Sequence, residues 1–346
     1  MNDTDARPCV AVLRFSSVGD IVVAAAAVDA LARAWPEARI VFVTKAHFAD
    51  LVRDNPAIDD VVALARGESV FALWRRVAAL HPTHVLDLHG KLRGMVLRRL
   101  VPAKRRGVFA ARPWTQTAAV RLGLRVFRAE QRVADRYHVA VEQLVGRAVP
   151  RGQLRYVVGA AAAAEARAQL AGAGIDLHRP LIGMAPGALW LTKRWPAERY
   201  GELAARLGER GYQVAVLGSG AEAALTASVA AYSPRAVSLA GSSLAVLAGL
   251  VDACGAFIAN DSGPMHIARA LGVPTVAMFG STDPGQFAFT GHTALSVALD
   301  CAPCSRYGRA RCPRGDLRCL LELSVEQALV ALEAGVAAGR RPFLDA

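Results

Sequence analysis

The sequence predicts an α/β protein of two doubly wound domains, each a parallel sheet with helices on both faces. Short apolar β-type runs alternate with Ala-, Leu- and Arg-rich helical stretches along the chain, which is the pattern of βαβ units. The 346 residues exceed what one average domain needs and suffice for two, each burying its own core. The charge balance also changes midway: residues 1–158 hold 25 Lys and Arg against 14 Asp and Glu, whereas residues 159–346 hold 16 against 15.

Taken in order, the predicted strands are "VAVLRF", "RIVFVT" and "HVLDLHG" in the first half, then "LIGMAPG", "YQVAVLGS", "AFIAND" and "PTVAMFG" in the second. Between them lies "GAAAAAEARAQLAGAG", residues 159–174, a helix followed by a Gly-rich stop. It sets the domain boundary, giving a first domain of 1–165 and a second of 166–346. Two such domains facing each other would put their strand C-termini at a central cleft, where open α/β sheets bind ligands.

A composition of 53% hydrophobic and 20% charged residues excludes a disordered chain and a disulfide-stapled miniprotein. The N-terminal "MNDTDARPCV" lacks a signal pattern and the longest apolar run, Ile21 to Val28, is too short for a membrane span, so a cytoplasmic location is expected. The net charge of +12 points to an anionic partner met mainly by the first half: nucleic acid, a membrane surface or a phosphorylated, carboxylated substrate. A basic surface that only aids solubility is the plain alternative. Interleaved aromatics are few, which argues against a base-stacking nucleic-acid channel.

Several stretches carry candidate chemistry. In "VAVLRFSSVGDIVVAAAAV" a strand, a turn and a helix follow one another, with Asp20 in the first helical turn. There it either complements the helix dipole or serves as general base toward a bound hydroxyl. In "AFIANDSGPMHIARALGVPTVAMFG", residues 256–280, Asp261, Ser262 and Gly263 lie between strand and helix and Pro264 suits the start of the helix. Free backbone N–H groups there make a phosphate-type anion site, or an ordinary capped βα turn. His266, one turn in, is either a ligand contact or a buried histidine.

In "MAPGALWLTKRWPAERYGELAARL", residues 184–207, a strand ends at Ala185, a loop carries Thr192, Lys193 and Arg194, and Trp195 and Pro196 open an amphipathic helix. Lys193 is placed to neutralise a diphosphate; an exposed loop lysine is the alternative. "GSGAEA", residues 218–223, matches the dinucleotide pattern G-x-G-x-x-A, but after Glu222 the next acid is Asp252. The acid expected about 20 residues on is missing, which disfavours a nicotinamide enzyme and leaves Glu222 as a candidate for a ribose hydroxyl. "DLHGKLRGMVLRRLVPAKRRG" gathers basic residues, of which Lys91 and Arg93, at the strand end, are acceptor-binding candidates. Cys301, Cys304, Cys312 and Cys319, spaced C-x2-C-x7-C-x6-C, read either as a structural zinc site or as reduced packing cysteines. No Asp-x-Asp motif follows a predicted strand, so no catalytic divalent ion or other cofactor is expected.

Together, "SSVGDIVVAAAAV", "KRWPAERYGELAARL", "NDSGPMHIARALGVPTVAMFGSTDP" and the C-terminal "CAPC…C…CL" resemble the ADP-heptose:lipopolysaccharide heptosyltransferase family, glycosyltransferase family 9, over nearly the whole chain. The resemblance implies a GT-B fold of two Rossmann-like domains. It also implies inverting, metal-independent transfer of a heptose from ADP-heptose to a hydroxyl of the lipopolysaccharide inner core, on Kdo or heptose. It would make Asp20 the general base, set Lys193 on the diphosphate with Thr192 nearby, and bring Asp261 to the donor sugar. The Ser262 and Gly263 backbone would hold phosphate, His266 would line the donor site and Glu222 would meet the ADP ribose. The basic first half fits an anionic core acceptor reached from the cytoplasmic face of the inner membrane, with peripheral membrane contact. Two departures are visible: His89 stands where members often show Gln, and Ala188 and Leu189 where some offer hydroxyls. The rival readings are a transferase or epimerase acting on another nucleotide sugar, and a non-enzymatic polyanion binder using the basic half alone.

Overall fold

Strands covered on both faces are apolar along most of their length, and those at the centre of each sheet are buried at every position: Cys9–Leu13, Leu181–Ala185 and Ala256–Asn260, with Asn260 at the end of its strand as the polar member. The computed structural model describes residues 7–110, 131–287 and 289–339. Among these, one compact unit takes 7–110 and 131–157, and the other takes 158–339. The helix Ala160–Gly172 lies wholly in the second unit, and the boundary expected at 165/166 falls inside it.

The first unit holds a five-stranded parallel sheet of β1 (Cys9–Leu13), β2 (Arg39–Lys45), β3 (Asp60–Leu64), β4 (His84–Asp87) and β5 (Arg105–Val108), in the order β3-β2-β1-β4-β5. Its helices are α1 (Val18–Ala34), α2 (Val70–Ala78), α3 (Leu92–Leu100) and α4 (Val133–Val145). Leu13, Phe15, Val43, Leu73, Val85 and Leu97 lie in its core. Each such side chain contributes about 1.5–3 kcal/mol on burial.

The second unit holds a six-stranded sheet of β6 (Leu181–Ala185), β7 (Gln213–Gly218), β8 (Ala236–Ala240), β9 (Ala256–Asn260), β10 (Thr275–Phe279) and β11 (Thr293–Ser296), ordered β11-β10-β9-β6-β7-β8 and parallel throughout. Its helices are α5 (Ala160–Gly172), α6 (Ala197–Glu209), α7 (Ala223–Ala230), α8 (Leu244–Asp252), α9 (Gly263–Ala270), α10 (Arg318–Leu321) and α11 (Val325–Ala338). Gly218 ends β7 where a Cβ would come 2.8 Å from Thr226 Cγ2, so the glycine lets α7 pack tightly on the strand.

In each sheet the chain first builds outward to one side and then crosses to the other. The switch falls between β1 and β4 in the first unit and between β6 and β9 in the second. At such a switch point the two following loops diverge and leave a crevice outside the strand C-termini. The register sets which residues line each crevice: Leu13 pairs with Asp87, which brings Arg14 beside Leu88, and Ala185 pairs with Ala259, which brings Pro186 beside Asn260.

Candidate active site

At the second unit's switch point the β6 loop delivers Lys193 and the β9 loop delivers Asp261. Lys193 Nζ lies 2.7 Å from Asp261 Oδ2, which also accepts a hydrogen bond from Thr282 Oγ1 at 2.6 Å. Burial alone would raise the Asp261 carboxyl, but the charge and hydrogen bond of Lys193, the Thr282 hydroxyl and His266 together hold it below the usual carboxylate value. Asn260, wholly buried, joins the two loops: its Nδ2 donates to Pro186 O at 2.7 Å and its Oδ1 accepts from Trp195 N at 2.9 Å. Trp195 is itself buried and donates through Nε1 to Leu323 O at 3.0 Å, so this residue, two after Lys193, is anchored by both its backbone and its ring.

The α9 helix starts at this point with Ser262 as N-cap and Pro264 in its first turn. Ser262 Oγ is buried without a hydrogen-bond partner, and its N-cap position leaves the first backbone N–H groups of α9 for an anion. His266 is buried behind them with its ring edge-on to Phe287 at 4.6 Å. From the neighbouring strand β7, Glu222 Oε2 accepts from Ser219 N and Ser219 Oγ, both at 2.8 Å, and its carboxylate lies against Gly187, where any Cβ would overlap Oε1. Lys193, Glu222, Asp261, Ser262, Gly263 and His266 therefore all follow the C-terminal ends of three adjacent strands. Thr192 differs: its hydroxyl is buried, accepts from Arg309 N and Ser281 Oγ, each at 2.8 Å, and donates to Arg309 O at 3.1 Å. It clasps the Lys193 loop to two other loops.

At the first unit's switch point Asp20 is the third residue of α1, and its Oδ2 accepts from Ser17 N at 3.0 Å and Ser17 Oγ at 2.9 Å. Arg14 Nη2 lies 2.5 Å from the same oxygen. Across β4, Asp87 is fully buried, accepts from His89 N and Gly90 N at 3.0 Å each, and meets Arg98 Nη1 at 3.6 Å. Gly90 has φ of 62°, the left-handed turn that a side chain would strain. His89 packs edge-on to Phe15 at 5.3 Å, and Arg93 lies over the other side chain of this cluster, 5.7 Å from the Phe15 ring centroid. Burial, then Arg14, Lys91 and Arg93, push the His89 imidazole down to about 4, leaving it neutral at neutral pH. Lys91 is exposed at the N-cap of α3. Other basic residues of this stretch are spent on structure: Arg98 on Asp87, Arg105 on Val145 O at 3.0 Å and Arg106 on Arg98 O at 3.0 Å.

The residues overlooked from sequence are Arg14, His89 as a site residue, Asn260, Ser281, Thr282 and Arg309. Arg14 had a signal, a charge in the otherwise apolar run "VAVLRF"; the loop partners had none, because their pairing is set by tertiary contacts. Among the described residues no group of three or more His, Cys, Asp or Glu could hold a metal ion. Cys301, Cys304, Cys312 and Cys319 are free thiols, and burial with the nearby cysteines pushes Cys319 up to about 12.

Two Rossmann-like units, one of which sets a lysine and a helix N-terminus over a switch point, have the fold of the GT-B class. The model of glycosyltransferase family 9 (heptosyltransferase) matches residues 70–313. Lipopolysaccharide heptosyltransferase 1 of Pseudomonas aeruginosa is 31% identical over 344 residues, covering 92% of each chain. The chain belongs to glycosyltransferase family 9, the heptosyltransferases. Its fold is similar to that of the family 9 glycosyl transferase from Veillonella parvula, with a TM-score of 0.80 at 22% identity over 97% of this chain and 100% of that one. It is also similar to E. coli ADP-heptose lps heptosyltransferase II, with a TM-score of 0.73 at 22% identity over 95% and 98%.

Proposed function

We propose that the protein transfers a heptose from ADP-heptose to a hydroxyl of the lipopolysaccharide inner core, inverting the anomeric centre. The observation that carries this reading is the Lys193–Asp261 pair at 2.7 Å beside the start of α9. A cation and a set of free N–H groups in one place suit a leaving diphosphate, whose charge grows as the glycosidic bond to phosphate breaks. Glu222 would hold the ribose, Asp261 the sugar, Ser262 and Gly263 a phosphate, and His266 the pocket wall. Thr192 would act by holding Lys193 in position.

On the acceptor side, Asp20 takes the hydroxyl proton as the new C–O bond forms on the face opposite the departing ADP. Lys91 and Arg93 would meet the anionic groups of the core, so the first unit binds acceptor and the second binds donor. With the leaving charge met by Lys193 and α9, the step is expected to run without a metal ion and to persist in chelator. The names of the relatives, lipopolysaccharide heptosyltransferase and ADP-heptose lps heptosyltransferase, support the substrate pair. No helix among the described residues is long and apolar enough to cross a membrane. The acceptor's lipid anchor would instead bring the protein to the cytoplasmic face of the inner membrane as a peripheral guest, and nucleic acid is not a partner. Calorimetric titration with ADP, UDP and NAD tests the donor site: a clear preference for ADP that Lys193→Ala abolishes is expected, and no nucleotide binding would refute it.

A further inference from the structure

We infer that Arg14 is the positioning residue of the reaction's base: its guanidinium holds Asp20 in place and ionised while the acceptor hydroxyl gives up its proton. The inference rests on the reading of Asp20 as that base. Arg14 follows directly on β1 and is buried, 6% exposed, a costly place for a charge unless it is paired and hydrogen-bonded. Both needs are met across three elements. Nη2 reaches Asp20 Oδ2 on α1 at 2.5 Å, Nη1 donates to Leu88 O just past β4 at 2.6 Å, and the guanidinium carbon lies 5.7 Å from the Tyr137 ring centroid on α4.

Helix capping does not account for this arrangement. Asp20, as the N3 residue of the α1 capping box, already accepts from Ser17 N and Ser17 Oγ through Oδ2. Arg14 adds a charged donor to that same oxygen, at the position where the β1 and β4 loops part. Among the described residues, the ionisable groups around this cluster include Tyr137 of α4, against the Arg14 guanidinium, and, from the β4–α3 turn, neutral His89 and the cations Lys91 and Arg93. Those two lie toward solvent, exposed and half-buried respectively, so an anionic acceptor would neutralise them on binding. Arg14, buried behind them, keeps its charge when acceptor and donor bring negative charge in. An opposite charge this close favours the ionised form of a carboxylate. In the transfer itself the acceptor proton moves to Asp20 as the C–O bond forms and ADP departs with the bonding pair; Arg14 gains and loses no proton.

The test is the pH dependence of kcat, read as ADP release from about pH 5 to about pH 9, for wild type, Arg14→Gln, Arg14→Lys and Asp20→Asn. Arg14→Gln is expected to move the acid limb upward by about one pH unit or more, so that its deficit is about tenfold or larger on the acid side and shrinks toward alkaline pH. Arg14→Lys, which keeps a cation, is expected to lose turnover but hold the limb near its wild-type position, and ADP affinity is expected to be unchanged in both. An Arg14→Gln profile scaled down uniformly, with the limb unmoved, would overturn the role. If Arg14→Gln does not fold, as read by its melting curve, Arg14→Met takes its place: an acid limb shifted upward supports the role, and one at the wild-type position refutes it. Asp20→Asn separates the two claims. Near-normal turnover in that variant removes the base assignment itself, whereas an inactive Asp20→Asn beside an unshifted Arg14→Gln removes only the part given to Arg14.

Discussion

Lys193 Nζ and Asp261 Oδ2 meet at 2.7 Å, both largely buried, at the one place in the second sheet where consecutive strands are laid down on opposite sides. The pair links the loop after β6 to the loop after β9, and under the proposed function it would join stability to donor binding. Breaking a buried pair from one side leaves an uncompensated charge, which costs about 3–5 kcal/mol. Lys193→Ala is therefore expected to lower the melting temperature as well as to weaken ADP about tenfold or more, roughly 1.4 kcal/mol or above. Pairing it with Asp261→Asn should restore part of the thermal stability but none of the affinity. Melting curves and titrations on the single and double variants check both halves.

Thr192→Val keeps the volume of the side chain and removes its oxygen. Arg309 N and Ser281 Oγ then lose an acceptor in a buried setting, a loss of about 1–3 kcal/mol in denaturant unfolding. The chemistry of Lys193 is untouched, so any fall in kcat/KM reports the looser loop. A variant as stable as wild type would show that the clasp is dispensable.

Gly187 has space for a hydrogen and nothing larger on the side of Glu222 Oε1. Gly187→Ala is expected to push the carboxylate away and weaken ADP to about the extent that Glu222→Ala does, several-fold in each. Titration of both variants checks it; full ADP affinity in Glu222→Ala would take the ribose contact away from this residue.

The His89 imidazole lies near 4 in the folded protein against an ordinary value of 6.5. Between those two values the unfolded chain takes up the proton more readily than the folded one, so stability falls as pH drops from 6.5 toward 4 and levels off below. His89→Gln has no proton to bind and should flatten that part of the curve. Urea midpoints at about pH 7 and about pH 5 measure the slope, and an unchanged slope in the variant would place its origin elsewhere.

The alternation of apolar runs with helical stretches was enough to read two parallel sheets, because central strands buried on both faces leave unbroken apolar segments such as "CVAVL" and "AFIAN". The placement of Asp20, Lys193, Asp261 and Ser262 after strand ends was legible for a related reason, and in this topology strand ends are where ligands bind. What sequence did not reveal is pairing. Nothing in "VAVLRF" says that Arg14 turns back to Asp20 six positions on while also bonding to Leu88, since that depends on β4 lying beside β1. The Thr192 clasp likewise needs Ser281 and Arg309, far along the chain, and a threonine that reads as a ligand contact proves to be held inside the protein. Of the basic run from Lys91 to Arg106, only Lys91 and Arg93 read as acceptor-binding candidates, and Arg98, Arg105 and Arg106 are engaged by Asp87 and backbone carbonyls.

The central claim, heptose transfer from ADP-heptose with Asp20 as base, is tested most directly by product analysis. Purified protein is incubated with ADP-heptose and, in separate reactions, a heptose-free and a single-heptose lipopolysaccharide core acceptor, in parallel with Asp20→Asn, and acceptor mass and free ADP are followed together. Addition of one heptose with an equal amount of ADP by the wild type is predicted, together with turnover reduced by orders of magnitude in a variant that still binds ADP. ADP release without any gain in acceptor mass, or transfer by Asp20→Asn at the wild-type rate, would contradict it.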